Sequence, residues 1–197
     1  MEVIFISKVY SCQEQLKKQL SFYDFDNCSV RFGSELCLAL NNNFGGIRYC
    51  DVQLYHYKKD IINKYYKCEK ILLNILSGLF NYLNNAMYII NYSDKWIKNK
   101  RISPQMNKLL IKNSINDKNK IFYINSSLDA LSVSKSIFRY NTFAAFASIQ
   151  KEIIITPTDH LDVFISSKEN LQESCPDIFR YIVDKCNKYD MRVKKTF

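Results

Sequence analysis

The chain has 197 residues, of which 47% are hydrophobic and 14% aromatic, with four glycines and three prolines. This length and composition suit one folded domain and exclude a disordered or low-complexity protein. The formal net charge of +9, from 28 Lys and Arg against 19 Asp and Glu, favours an anionic partner such as nucleic acid, an acidic membrane face or an acidic protein. The alternative is that abundant Lys, Asn, Ile and Tyr reflect an AT-rich coding sequence, with no selection for anion binding.

The first third of the chain predicts alternating strands and helices. Residues 2–7 alternate loosely among Val, Ile and Phe, which predicts a strand, and residues 13–22 have helical spacing of apolar side chains. Residues 29–32 predict a second strand that leads into residues 35–40. The alternation over residues 47–57 predicts a further, half-buried strand.

The middle of the chain contains the clearest helix signal. Residues 63–83 place apolar side chains at spacings of three and four, which predicts a helix of several turns with one wide apolar face. Residues 86–90 predict a short buried strand. Pro104 after Ser103 predicts another helix, with Ser103 as its cap and proline at the first helical position.

The last third predicts a mixture of helix and strand. Residues 121–124 form a short apolar run, and residues 127–149 contain few helix breakers and have apolar residues periodic enough for one helix. Residues 152–155 predict a strand, whereas residues 161–165 suit either a helix or a strand. Residues 177–186 follow a proline in a helix-opening position and carry apolar side chains on one side, so they predict a helix.

These elements predict a single mixed α+β domain over residues 1–197, in which short strands pack with amphipathic helices. A softer seam is predicted near residues 94–104, between an N-terminal half and a helical C-terminal half. The chain then ends in a predicted basic tail that contains Arg192, Lys194 and Lys195.

Cysteine usage predicts a reducing, cytoplasmic environment. The seven cysteines are widely spaced and form no C-x-x-C pair, so a disulfide framework and a zinc site are both disfavoured. The first residues form an apolar run that Lys8 interrupts, so no export signal is expected. The most apolar stretch, residues 71–80, is far shorter than the roughly 20 residues that a membrane span requires.

Catalysis is the less favoured interpretation, although the sequence leaves it open. His56 and His160 coexist with cysteines and with carboxylates such as Asp159 and Asp162, but no spacing selects a triad. The glycines at 45–46 do not belong to a phosphate-binding motif. We therefore expect neither a cofactor nor a metal ion.

One local motif indicates DNA binding. The segment SLDALSVSKSIFRY, residues 127–140, resembles the turn and recognition helix of helix-turn-helix transcription regulators. The matching positions are Leu131, Val133, Ser134, Ser136, Phe138 and Arg139. The resemblance implies that Ser134 caps the second helix and that Val133 and Phe138 anchor it. It also implies that four side chains face the major groove or its phosphates, namely Lys135, Ser136, Arg139 and Tyr140.

An alternative interpretation of the same segment is a capped core helix. In that case Phe143, Phe146 and Ile149 would continue its buried face beyond Tyr140.

The N-terminal half resembles, more broadly, the receiver half of two-part bacterial regulators. The strand, helix and strand order would be supplied by EVIFIS, QEQLKKQLSFY and CDVQLYHY. Such receivers hold an acidic pair after the first strand, where this chain has Lys8. The resemblance therefore does not imply phosphorylation chemistry.

Two functions follow as predictions. The first is a non-enzymatic, cytoplasmic DNA-binding regulator, in which the motif reads bases and the lysines between residues 95 and 120, including Lys108 and Lys112, neutralise phosphates. The second is a module that binds a single, acidic protein partner, as immunity proteins, antitoxins and secreted effectors do. Tyrosines would be its interface anchors: Tyr49, Tyr55, Tyr57, Tyr65 and Tyr66. The sequence leaves the oligomeric state open.

Overall fold

A computed structural model of the protein describes residues 18, 20–21, 23–24, 29–30, 34–40, 48–49, 59–84, 87–91, 104–112, 115, 121–140 and 144–196. Its helices are α1 (Lys59–Tyr82), α2 (Pro104–Lys112), α3 (Ser127–Tyr140), α4 (Leu171–Ser174) and α5 (Pro176–Tyr189). Its strands are β1 (Tyr23–Asp24), β2 (Ser29–Val30), β3 (Ser34–Leu40), β4 (Met87–Asn91), β5 (Ile121–Ile124), β6 (Ala144–Ser148), β7 (Ile153–Pro157), β8 (Asp162–Ser167) and β9 (Met191–Thr196). Helices packed on an antiparallel sheet confirm the predicted α+β class.

In the described part of the chain, seven strands form one antiparallel sheet in the order β5-β4-β6-β7-β8-β3-β9, while β1 and β2 pair separately. Strand β3 lies between β8 and β9, with Leu38 opposite Val163 on one side and Val193 on the other. The sheet therefore joins both halves of the chain. Five of its strands follow residue 120, where the sequence had predicted a helical half. The predicted seam lies, except for its last residue, outside the described residues.

The main core lies between the helices and one face of the sheet. Its helical side includes the apolar face of α1, whose spacing of three and four residues follows the helical period. The buried side chains of α1 are Tyr65, Cys68, Glu69, Leu72, Ile75, Leu76, Leu79 and Phe80. Phe80 contacts Phe146 of β6, with ring centroids 4.8 Å apart.

A smaller cluster fills the opposite face of the sheet. Ala145 and Ala147 of β6 belong to this second cluster, whereas Ala144 and Phe146 belong to the main core. Strand β6 is thus buried on both faces, so its sequence lacks the alternation of apolar and polar residues that marks a half-exposed strand.

Several predicted elements are confirmed. Helices α1, α2 and α5 and strands β4 and β7 occupy the segments predicted for them, and of the ambiguous residues 161–165 all but the first lie in strand β8. The prediction of one helix over residues 127–149 is wrong beyond Tyr140, since β6 begins at Ala144. The predicted basic tail is strand β9.

Other predictions cannot be compared with the fold. The predicted strand over residues 2–7 and nearly all of the helix over residues 13–22 lie outside the described residues. So do residues 50–57 of the strand predicted over residues 47–57, although the described Tyr49 has helical backbone.

Helices α1 and α5 approach each other closely at Gly78. A β-carbon added at Gly78 would overlap the hydroxyl and ring of Tyr181 on α5. The Tyr181 hydroxyl donates a hydrogen bond to the backbone carbonyl of Ile75, at 3.2 Å. Glycine at position 78 therefore lets the tyrosine lie across α1.

We expect Gly78→Ala to lower the free energy of unfolding by about 1–3 kcal/mol, because the added methyl group must displace Tyr181. In a Tyr181→Ala background the same substitution should instead raise it by about 1 kcal/mol, since alanine is the better helix former. Urea unfolding of the four proteins measures both values. The same sign of effect in both backgrounds would contradict the proposed contact.

Candidate functional site

The segment that resembles a helix-turn-helix motif is one uninterrupted helix, α3, so the predicted turn between two helices is wrong. Ser134 does not cap a helix, because it lies in mid-helix and donates its hydroxyl hydrogen to the Ala130 carbonyl, at 2.9 Å. The residue beside the true start of α3 is Ser126, whose hydroxyl accepts a hydrogen bond from the Asp129 backbone N–H at 3.4 Å.

Both serines of the predicted base-contacting face lie in the interior. Ser134 is 0% exposed and Ser136 is 2% exposed. The Ser136 hydroxyl donates to the Ser132 carbonyl at 3.1 Å. Val133 and Phe138 are buried, as predicted for anchoring residues. This face of α3 packs into the protein, so Ser136 is not placed to contact a base.

Arg139 is held by side chains of the protein itself. Its Nε and Nη2 atoms donate to the two carboxylate oxygens of Glu69 on α1, at 2.6 and 2.7 Å. Its guanidinium carbon lies 5.2 Å from the ring centroids of both Tyr49 and Tyr66. Burial by itself would lower the pKa of Arg139, but the hydrogen bonds and charge of Glu69 raise it, so the guanidinium stays charged. Arg139 thus ties α3 to α1.

The tyrosines around Arg139 are largely interior. Tyr65 is fully buried, and its hydroxyl donates to the Phe138 carbonyl at 2.9 Å. Burial raises the pKa of Tyr65 well above its usual range. Tyr49 is also buried, whereas Tyr66 is 38% exposed. Of the predicted anchors in the described part of the chain, only Tyr66 therefore reaches solvent. Tyr55 and Tyr57 lie outside the described residues.

The remaining predicted nucleic-acid contacts are spread over two helices. Lys108 and Lys112 are exposed, one turn apart, on α2. Lys135 is half-buried on α3, and the side chain of Tyr140 lies outside the described part. The basic residues of the proposed recognition segment and of α2 thus lie on two helices that contact each other.

A groove lies between α5 and β9, at the end of the described sheet. Asp190, which adopts a left-handed conformation with φ of 51°, connects the helix to the strand. Aspartate tolerates that conformation better than most residues do. The groove has a volume of about 450 Å³ and is lined by Phe179, Val183, Cys186, Asn187, Met191 and Val193.

Two periodicities build this groove. On α5, Phe179, Val183 and Asn187 recur every four residues, beside the stripe that points into the core. On β9, Met191 and Val193 share one face because side chains alternate along a strand. Among the described residues that line the groove, all are apolar except Asn187. The sequence did not indicate this groove, because residues 192–195 were predicted to form a basic tail.

Basic residues lie on both of the elements that form the groove. Arg180 on α5 and Arg192 on β9 are exposed. Over residues 176–196 the sequence has six Lys and Arg against three Asp, which gives a local net charge of +3. The groove therefore combines an apolar lining with a positively charged setting.

The described residues offer little support for nucleophilic or metal chemistry. His160 is exposed, with its Nε2 atom 3.7 Å from an oxygen of Asp159; His56 lies outside the described residues. Burial raises the pKa of the Cys186 thiol to about 11, so that thiol is protonated at neutral pH. Among the described residues, no group of three His, Cys, Asp or Glu side chains could hold a metal ion.

Within the described residues, no helix has the length and apolar character needed to cross a membrane. Comparison of the chain with protein-family models, curated proteins and solved structures gives no significant match.

Proposed function

We propose that the protein is a non-enzymatic interaction module that binds an acidic segment of one protein partner in the groove between α5 and β9. The observation that carries the proposal is the apolar groove bounded by a terminal strand of the described sheet, with exposed Arg180 and Arg192 on the helix and the strand that form it. Apolar contacts in such a groove supply affinity, and the basic setting selects acidic partners and speeds their association.

The lining favours a peptide over nucleic acid. Phosphate backbones are bound mainly by Lys, Arg, polar side chains and backbone N–H groups. Here Phe179, Val183, Met191 and Val193 line the groove, and these side chains suit aliphatic partners. A segment that carries both carboxylates and aliphatic side chains complements both features.

A synthetic peptide, EVDIEVD, tests the proposal, because it combines aliphatic and acidic residues. We expect the full chain to bind it with a Kd on the order of 10–100 μM, about 5.5–6.8 kcal/mol of binding free energy. The basic peptide KVKIKVK, which has the same aliphatic residues, should bind at least about tenfold more weakly. Isothermal titration calorimetry measures both. Equal affinity for the two peptides, or no binding of EVDIEVD, would refute the proposal.

Matched charge reversals locate the binding surface. Arg192→Glu should weaken EVDIEVD binding at least about tenfold, because it places a carboxylate beside the acidic peptide. Lys108→Glu makes the same change on α2 and should leave the affinity within about twofold. Thermal unfolding of both variants establishes that they fold. Equal effects of the two substitutions would place the peptide elsewhere.

DNA binding is the second candidate, supported by the exposed Lys108 and Lys112 on α2 and by the net charge. The same variants separate the two functions. Binding of a 20-base-pair duplex that weakens with rising salt and with Lys108→Glu would favour DNA. Displacement of EVDIEVD by that duplex would mean that both anions use one surface.

A further inference from the structure

We infer, on the basis of the proposed function, that the acidic segment binds as an added strand along β9. Its aliphatic side chains would enter the groove, and its intervening carboxylates would lie beside Arg192. The partner is thus a protein with an extended, exposed segment in which acidic and aliphatic residues alternate.

Strand β9 lies at one end of the described sheet. All six residues of the strand pair with β3, from Met191 opposite Leu40 to Thr196 opposite Glu35. No strand among the described residues pairs with the other edge of β9. Backbone N–H and C=O groups along such an edge form hydrogen bonds readily with another extended chain.

Successive side chains of β9 point to opposite faces of the strand. Met191 and Val193 line the groove, and Arg192 between them is exposed on the opposite face of the strand. Side chains of paired strands lie beside each other on the same face. An added strand would therefore place every second side chain in the groove and the others next to Arg192.

Helix α5 forms one wall of the groove. Phe179, Val183 and Asn187 form a continuous stripe along this helix and face the groove together with Met191 and Val193. A groove between a helix and an edge strand accommodates an extended chain, whose backbone bonds to the strand while alternate side chains contact the helix.

Charge identifies the added strand as foreign and acidic. The sequence of β9, MRVKKT, contains Arg192, Lys194 and Lys195 and no acidic residue. Pairing with a second copy of β9 would bring like charges together, which destabilises a strand pair. An acidic strand has the opposite effect, so the observations favour a different protein over a second copy of this chain.

Backbone methylation of EVDIEVD tests the inference. In an added strand, alternate N–H groups point toward β9 and the others point away. We therefore expect single N-methylation at residues 2, 4 or 6 to change the affinity of the peptide by a different factor from methylation at residues 3 or 5. One set should lose at least about tenfold in affinity, since each methyl group removes a donor and obstructs pairing, and the other should stay within about twofold.

The outcomes separate the inference from the proposed function. If EVDIEVD binds and Arg192→Glu weakens it, but methylation shows no alternation, strand addition is overturned and the interaction surface stands. If EVDIEVD does not bind at all, both are overturned. Amide exchange by NMR gives an independent measure, because strand addition predicts new protection at alternate residues of β9.

Discussion

Replacing Arg139 with alanine is expected to lower the free energy of unfolding by about 3–5 kcal/mol, because the Glu69 carboxylate would remain buried without its partner. The side chain of Glu69 is 5% exposed and that of Arg139 is 19% exposed, so solvent screens their interaction poorly. Urea unfolding monitored by circular dichroism measures the change. A loss below about 1 kcal/mol, typical of exposed ion pairs, would instead indicate that Arg139 is available to an external ligand.

Three further variants sharpen this test. Arg139→Lys should recover only part of the loss, because an ammonium group cannot donate the planar, two-pronged pair of hydrogen bonds that Glu69 accepts. Replacing both residues, as Arg139→Met with Glu69→Leu, should cost less than Arg139→Ala, since it leaves no buried charge. Lys135→Ala, on the same helix, should stay within about 0.5 kcal/mol.

The role of Arg139 could not be predicted from the sequence. Glu69 lies 70 residues away, and no local pattern links the two. The segment around Ser134 satisfies the local rules for a capped helix start and also those for the middle of a helix, where serine bonds to the carbonyl four residues earlier. The contact with α1 decides between them, and it arises only in the folded chain.

The fold was predictable where one face of an element is buried and the other is exposed to solvent. Helix α1 has such a pattern over its whole length, and α5 begins at Pro176 with the same signal. Strand β6 lacks it, because Ala145 and Phe146 are buried on opposite faces. An unbroken apolar run of this kind fits a helix or a strand equally well from periodicity alone.

The candidate groove depends on pairing between distant segments. Residues 191–196 contain Met191 and Val193 in alternation, which is a weak strand signal in so short and basic a sequence. They form β9 because β3, roughly 150 residues earlier in the chain, offers Leu36, Leu38 and Leu40 as neighbours. The sequence predicted helix α5 and the basic residues of this segment, but it predicted neither the apolar face of β9 nor the position of β9 beside α5.

The burial of β6 leads to a second large effect on stability. We expect Phe146→Ala to lower the free energy of unfolding by about 3–5 kcal/mol, because the ring is fully buried and packs against Phe80. Leu128→Ala is the matched control: it also truncates a large apolar side chain, but Leu128 is 74% exposed, so its effect should stay within about 0.5 kcal/mol.

A double-mutant cycle tests the contact itself. If Phe80 and Phe146 stabilise each other through ring packing, Phe80→Leu and Phe146→Leu should be non-additive by about 0.5–1.5 kcal/mol. Additive losses would mean that the two rings are buried independently. Equal losses for Phe146→Ala and Leu128→Ala would contradict the burial of Phe146 on an interior strand of the sheet.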